Sequence, residues 1–466
     1  AGLTALVLMI AGLLVAKSKW NAWLHGEGFR DWLVAKAAVK LRSEVELAPL
    51  EWNGAEVYAK RFVAKGYEEA GFSSLVLDGV RARTGGIADR AVRIPEVSVN
   101  RFELAFSPER KRSQSAGAAV GAEPEAASQG LPDWLARHLP NRVEVDEVAI
   151  ATTKVTVEKA EGSVFSLQGT KLRLEPDFQT GFWSAEGSGG RIALPDLPEM
   201  RLKDLALRWK GQDLFFDHCG IGIFEEGHID GKGEISLGKP GNFDLALTLS
   251  AIDVDDLLTG AWKDRLSGTV SGPVRITGAP GALVHEGTLN LADGVLQSVP
   301  VLTLIAKYTR SDRFERLVLN QAKTGFRREG DRTELRDLVI QSDGLVRVEG
   351  QIDLVGDLLD GDLRVGVAPG TMRWIPGAER SVFVEERDGF LWTPLKLTGT
   401  RQHPKEDLSA RLIAAVGEAI LGDLPGGLLD TAKEVLGTEP AKGSGEGVIE
   451  QGRKIIDLLS PFLKAP

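Results

Sequence analysis

The sequence predicts a mostly β chain, built as a long antiparallel meander, and three observations predict it. Between Thr333 and Val367 the apolar residues fall two apart in short runs: Leu338 and Ile340, Val346 and Val348, Ile352 and Leu354, Leu363, Val365 and Val367. Ser342-Asp343-Gly344 and Asp360-Gly361-Asp362 separate those runs with small polar residues that turn the backbone. Glycine-rich turns recur along most of the chain at short intervals, which leaves no room for the helix that a βαβ unit needs between strands. Two arrangements satisfy this pattern. In one the apolar face is covered by a second sheet, as in a sandwich; in the other a long curved sheet leaves it open as a groove.

Composition narrows the function classes. The chain has 466 residues with 54 glycines, a hydrophobic fraction of 43% and a net charge of −10. That charge argues against a nucleic-acid partner, which calls for a clustered basic excess. The single cysteine, Cys219, rules out an intrachain disulfide. Ala1–Ala16 carries no charge and spans about 24 Å as a helix, a little less than a membrane core. We read residues 1–19 as a transmembrane anchor; the rival reading is the hydrophobic region of a signal peptide, whose cleavage signal is poor here. Lys17, Lys19 and Arg30 would by themselves draw their flank to the cytoplasm.

From the anchor onward the period changes several times. Residues 20–106 combine a helix over Trp20–Leu41, apolar at helical spacing, with a first β block that starts near Glu44. Residues 107–130 lack any large apolar side chain and read as a disordered linker. Residues 131–403 form the main β array, which opens on a short helix over Leu131–Leu139. Helical interruptions are expected at Val254–Trp262 and Val299–Thr309. Residues 404–466 return to helical spacing, with Leu408, Leu412, Ile413, Val416, Ile420 and Leu421 on one face, and form an amphipathic tail.

A search for chemistry finds little. G-x-S-x-G, H-E-x-x-H, Walker A and C-x-x-C motifs are all missing. Asp217, His218, Cys219, His228 and Asp230 are the densest metal-capable set, but they alternate with Ile221, Ile223 and Ile229 as wet-face strand residues do. Asp253, Asp255 and Asp256 lack the glycine and closing glutamate of a calcium loop and fit a helix N-cap. We therefore expect no catalytic residue, no metal and no cofactor.

The anchor, the segment FRDWLVAKAAVKLRSEVELAPLEWNGAEVYAKRFVAKG and the array ending in LRDLVIQSDGLVRVEGQIDLVGDLLDGDLRV together resemble the AsmA-like family. The nearest local match is to the C-terminal domain of these AsmA/TamB-type proteins, at Leu338–Ser342, Val348–Leu354 and Leu359–Val365. The resemblance implies a bacterial envelope protein, anchored once in the inner membrane with its body in the periplasm. It also implies a β-taco-like open groove akin to bridge-like lipid-transfer proteins. The helices after Pro404 are too few to cover so long a sheet, so its apolar face must curl on itself or hold a ligand. On this reading Leu338, Ile340, Val346, Val348, Ile352, Leu354, Leu363 and Val365 are candidates to line a lipid groove. The expected partners are a phospholipid or other envelope lipid, the membrane, and envelope proteins met through the C-terminal helices. The rival class is a structural scaffold with a closed β array.

Overall fold

The computed structural model describes residues 27–107 and 142–422, apart from 55, 68–69, 84–85, 89–90, 160–161, 196, 239, 259–261, 299–301, 303–305, 307–311, 374 and 376. The expected anchor at 1–19, the linker after Ser107, the helix over Leu131–Leu139 and the tail beyond Gly422 lie outside the described residues. The chain is mostly β and divides into two compact units, Ala1–Gly241 and Asn242–Pro466.

The first unit begins with helix α1 (Glu27–Leu41), within the expected Trp20–Leu41 span. Leu33, Ala37 and Leu41 recur every four residues, so one stripe of the helix is buried. The stripe packs on strands β1 (Ser43–Leu47) and β3 (Glu56–Gly66). A short β2 (Leu50–Asn53) also pairs with β3, which is followed by β4 (Ser74–Arg83) and β7 (Glu96–Phe106). Strands β5 (Gly86–Ala88), β6 (Ala91–Ile94) and β8 (Arg142–Val145) form a separate small sheet.

At this point the antiparallel expectation fails locally. Strand β7 pairs in parallel with β9 (Val148–Lys159), and β6 with β8. Parallel neighbours need a long crossover, and the residues between Phe106 and Val148 supply it. From β9 the pairing is antiparallel through β10 (Gly162–Pro176), the split pair β11 (Trp183–Ser188) and β12 (Arg191–Ala193), β13 (Met200–Lys210), β14 (Asp213–Ile223) and β15 (Gly227–Ser236).

The second unit is a single antiparallel meander. It runs through β16 (Asn242–Asp253), β17 (Leu266–Ala279) and β18 (Ala282–Gln297), then the broken strand β19 (Arg316–Leu319) and β20 (Gln321–Glu329). It continues through β21 (Arg332–Ser342), β22 (Val346–Val355), β23 (Leu358–Val367) and β25 (Phe390–Gly399), with β24 (Glu385–Arg387) and β26 (Pro404–Glu406) beside β25. The interruption expected over Val254–Trp262 is a single turn, α2 (Val254–Leu257), capped by Asp253, whose carboxylate accepts from the Asp255 N–H at 3.0 Å. Within Val299–Thr309 only Leu302 and Ala306 are described; both are helical and buried. Helix α3 (Leu408–Gly422) buries Leu408, Leu412 and Ala415 in this unit's core.

Candidate functional site

Cross-strand register decides which residues share a face of the second unit. Ile340 stands opposite Val348, which is opposite Val365; Ser342 is opposite Val346, and Val346 opposite Val367. Leu338 faces Gly350, and Gly350 faces Leu363, while Ile352 is opposite Leu335 and Leu354 opposite Thr333. All the groove candidates therefore lie on one face. Their spacing survives an extra residue in β21, where Asp337 adopts a left-handed φ of 51° between Leu335 and Leu338.

That face has two regimes along the strands. At one end it is filled by protein. Val346, Val365 and Val367 pack in a buried cluster with Met372, Ile375, Ala378, Val382 and Phe383 from the segment between β23 and β24, and with Leu408 and Leu412 of α3. Ile340 and Val348 lean on the same cluster. Towards the other end no such cover is present among the described residues. There Leu247, Val274, Gly287, Phe326, Leu335, Ile352, Gly361 and Leu397 follow one another in register across eight strands. Every large side chain in that row is half-buried, and none belongs to the buried core. Leu338, Ile352 and Leu354 are half-buried too, whereas Leu363 is buried.

Glycines shape this stretch. A Cβ on Gly350 (φ 147°) would lie 2.3 Å from the Asp362 carbonyl oxygen. One on Gly287 would lie 2.2 Å from the Pro273 carbonyl oxygen and 3.1 Å from the Phe326 ring. Such contacts admit no side chain, so these positions require glycine.

The reverse face is charged and paired. Arg275 meets Asp244 at 2.8 Å, Arg327 meets Glu286 at 3.1 Å and Arg336 meets Asp353 at 2.9 Å. Arg347 and Arg387 both hold Glu349 at 2.7 Å, and Lys396 bridges Asp360 at 2.6 Å and Asp362 at 2.9 Å. Each exposed pair contributes little stability, but together they mark the face turned to water. The Asp353 hydrogen bond raises the Arg336 pKa, and the two aspartates raise that of Lys396. The sequence alternation places Arg336, Asp337, Arg347, Glu349, Gln351 and Asp353 on this face; the register agrees for Arg336 and the four residues of β22, while Asp337 is the extra residue of β21 and has no partner in register.

In the first unit the metal-capable set disperses into pairs. Asp217 binds Arg208 at 2.7 Å, His218 binds Asp204 at 2.5 Å, and His228 lies 3.7 Å from Asp230. The hydrogen bond from Arg208 lowers the Asp217 pKa. Cys219 shares the other face of β14 with Phe216 and Ile221, and burial pushes its thiol pKa up to about 11, with Asp204 and Asp230 adding to the shift. Among the described residues no group of three such side chains could hold a metal ion.

The residues that the sequence reading omitted from the groove are Leu247, Val274, Phe326, Leu335 and Leu397. Most carry the same alternation, and pairing register is the information that assigns them to one row. Among the described residues no helix is long and apolar enough to cross a membrane. No protein-family model, curated protein or solved structure matches the chain.

Proposed function

We propose that this chain is a non-enzymatic lipid-binding or lipid-transfer protein of the AsmA-like type, holding acyl chains in the trough of its second unit. On this reading it is an envelope-assembly factor, anchored once in the bacterial inner membrane with its body in the periplasm. One observation carries the reading: the half-buried apolar row from Leu247 to Leu397, which no element of the described core covers. Such a face stays in water unless something apolar occupies it. An acyl chain laid along it gains about 0.8 kcal/mol per methylene removed from water. The filled end near Val346 and Val367 gives the trough a floor. The paired charges on the reverse face keep the outside soluble. The curvature of the sheet belongs to the same proposal, and the close backbone approaches at Gly287 and Gly350 are compatible with it.

Photocrosslinking in cells tests it on the full chain. A benzophenone amino acid is placed at Ile352 or Leu335 on the apolar face, and at Gln351 or Glu334 on the reverse face. Mass spectrometry should find lipid adducts at the first two positions and none at the others. No adduct on the apolar face, or equal adducts on both faces, would refute the trough.

A further inference from the structure

One row of the uncovered stretch breaks the apolar pattern. Ile276, His285, Arg328, Thr333 and Leu354 follow one another in register, next to the Leu247–Leu397 row and on its far side from the filled end. In the neighbouring row every residue is apolar or glycine. Arg328 thus brings a full charge to an otherwise greasy face.

Its surroundings differ from those of its sequence neighbour. Arg327, on the reverse face, is paired with Glu286 at 3.1 Å and Glu329 at 3.3 Å. Arg328 has no carboxylate within ion-pair reach among the described residues, and there its guanidinium makes one hydrogen bond, a long one from Nε to the Gly330 carbonyl at 3.5 Å. Across from it His285 is half-buried, and its Nδ1 has no hydrogen-bond partner. Burial, and then the Arg328 charge, lowers the His285 pKa, against a smaller opposing effect of a hydrogen bond with the Arg328 backbone. An exposed guanidinium beside an imidazole offers several donors and no fixed anion. An arginine in this position can lay its methylenes on the apolar floor while its fork meets a phosphate or carboxylate.

The distances suit an amphiphile. Arg328 and Ala322, which packs on the filled end, are six positions apart on β20, and at about 3.4 Å per residue that is about 20 Å along the strand, past Phe326 and Thr324 on the same face. We propose that Arg328, with His285 beside it, is the headgroup site of the trough, and that the ligand is an anionic amphiphile. Its acidic head sits on the guanidinium and its tail lies along β20, across the rows, towards Ala322. This assignment rests on the lipid reading above and narrows it to acidic lipids.

The test is equilibrium dialysis with the full chain held in a nonionic amphipol. The radiolabelled probes are 1-palmitoyl lysophosphatidate, 1-palmitoylglycerol and glycerol 3-phosphate, which separate head from tail. The native chain should prefer lysophosphatidate over palmitoylglycerol by about tenfold, the size of one charge-assisted contact. R328Q should bring that ratio to near one, and R328K should restore part of it. Arg328 is exposed, so these variants should fold, which circular dichroism checks. Equal binding of both amphiphiles by the native chain, or a ratio that R328Q leaves unchanged, overturns the headgroup site and leaves the trough standing. Glycerol 3-phosphate binding as tightly as lysophosphatidate also overturns it, since the site would then take a free phosphate. Failure to bind either amphiphile would count against the lipid reading itself.

Discussion

Placing a carboxylate at either end of the trough should have opposite consequences. Val365 is 7% exposed and packed in the buried cluster of the second unit. Val365→Asp would bury an ionised group without a partner, which costs about 4 kcal/mol or more. Leu354 is half-buried, beside Thr333 and Leu359 on the uncovered stretch. Full burial of a leucine contributes about 2–3 kcal/mol, so truncating a half-buried one costs about 1 kcal/mol. The new carboxylate in Leu354→Asp still reaches water. For a unit of this size each kcal/mol moves Tm by about 2–4 °C.

Leu354→Asp should therefore lower Tm by about 2–4 °C and Val365→Asp by 10 °C or more, on a scale of about 3 °C per kcal/mol. Scanning calorimetry on the full chain reads both values. Lipid crosslinked at Ile352 is quantified in parallel. In Leu354→Asp the adduct should be lost while the fold persists, because acyl chains avoid a charge. If Leu354→Asp melted as early as Val365→Asp, the stretch would be a packed core. If it retained the full adduct, Leu354 would not line the trough. Either result refutes the reasoning from exposure.

Four further outcomes follow from particular positions. Gly350→Ala should cost about 3 kcal/mol in melting experiments, through backbone strain and the 2.3 Å approach to Asp362. Gly344→Ala, at φ 66° in open space, should cost only about 1 kcal/mol. Cys219, its thiol pushed up to about 11 from 9.0, should react with iodoacetamide at pH 8 about a hundredfold more slowly than an ordinary thiol, and at normal speed once unfolded. His285 has a lowered pKa in the fold, so its contribution to stability is present above about pH 6.5 and is lost as pH falls towards the folded value. Tm measured at pH 7.5 and 5.5 should accordingly drop less in His285→Gln than in the native chain.

Much of this was legible in the sequence where the period is an uninterrupted two. The faces of β22 and β23 could be read from their alternation because no extra residue intervenes, but the turn expected at Asp360-Gly361-Asp362 lies instead at Gly356 and Asp357, and those three residues fall inside β23. Leu335 could not be joined to Leu338, since they are three apart and only the left-handed Asp337 restores them to one face. Ala251 at φ 50° similarly hides the link between Leu249 and Ile252. The segment APGTMRWIPGAERSVF after β23 has neither period, yet it buries Met372, Ile375, Ala378, Val382 and Phe383. Its role as a cover depends on tertiary contacts that spacing does not encode. Arg327 and Arg328 are adjacent, chemically identical and both exposed, and the pairing of β20 with β18 shows that Arg327 lies on the charged face and Arg328 on the apolar one.

The choice between a closed sandwich and a trough turns on how the apolar face is satisfied along its length. A sandwich covers the whole face with a second sheet, so burial would be uniform from Val346 to Leu354. Here it declines along β22, from buried Val346 through half-buried Val348, Ile352 and Leu354. The covering segment and α3 account for the deep end alone. At the shallow end the face carries glycines where a sandwich would place core side chains. A Cβ on Gly361 would come within 3.0 Å of Leu397 Cβ and 3.4 Å of Ile352, so the floor is pinched and cannot be filled by enlarging that residue. The glycines in this apolar face, and an arginine at its edge with no carboxylate in reach among the described residues, are the two features on which the proposed site for an acidic amphiphile rests.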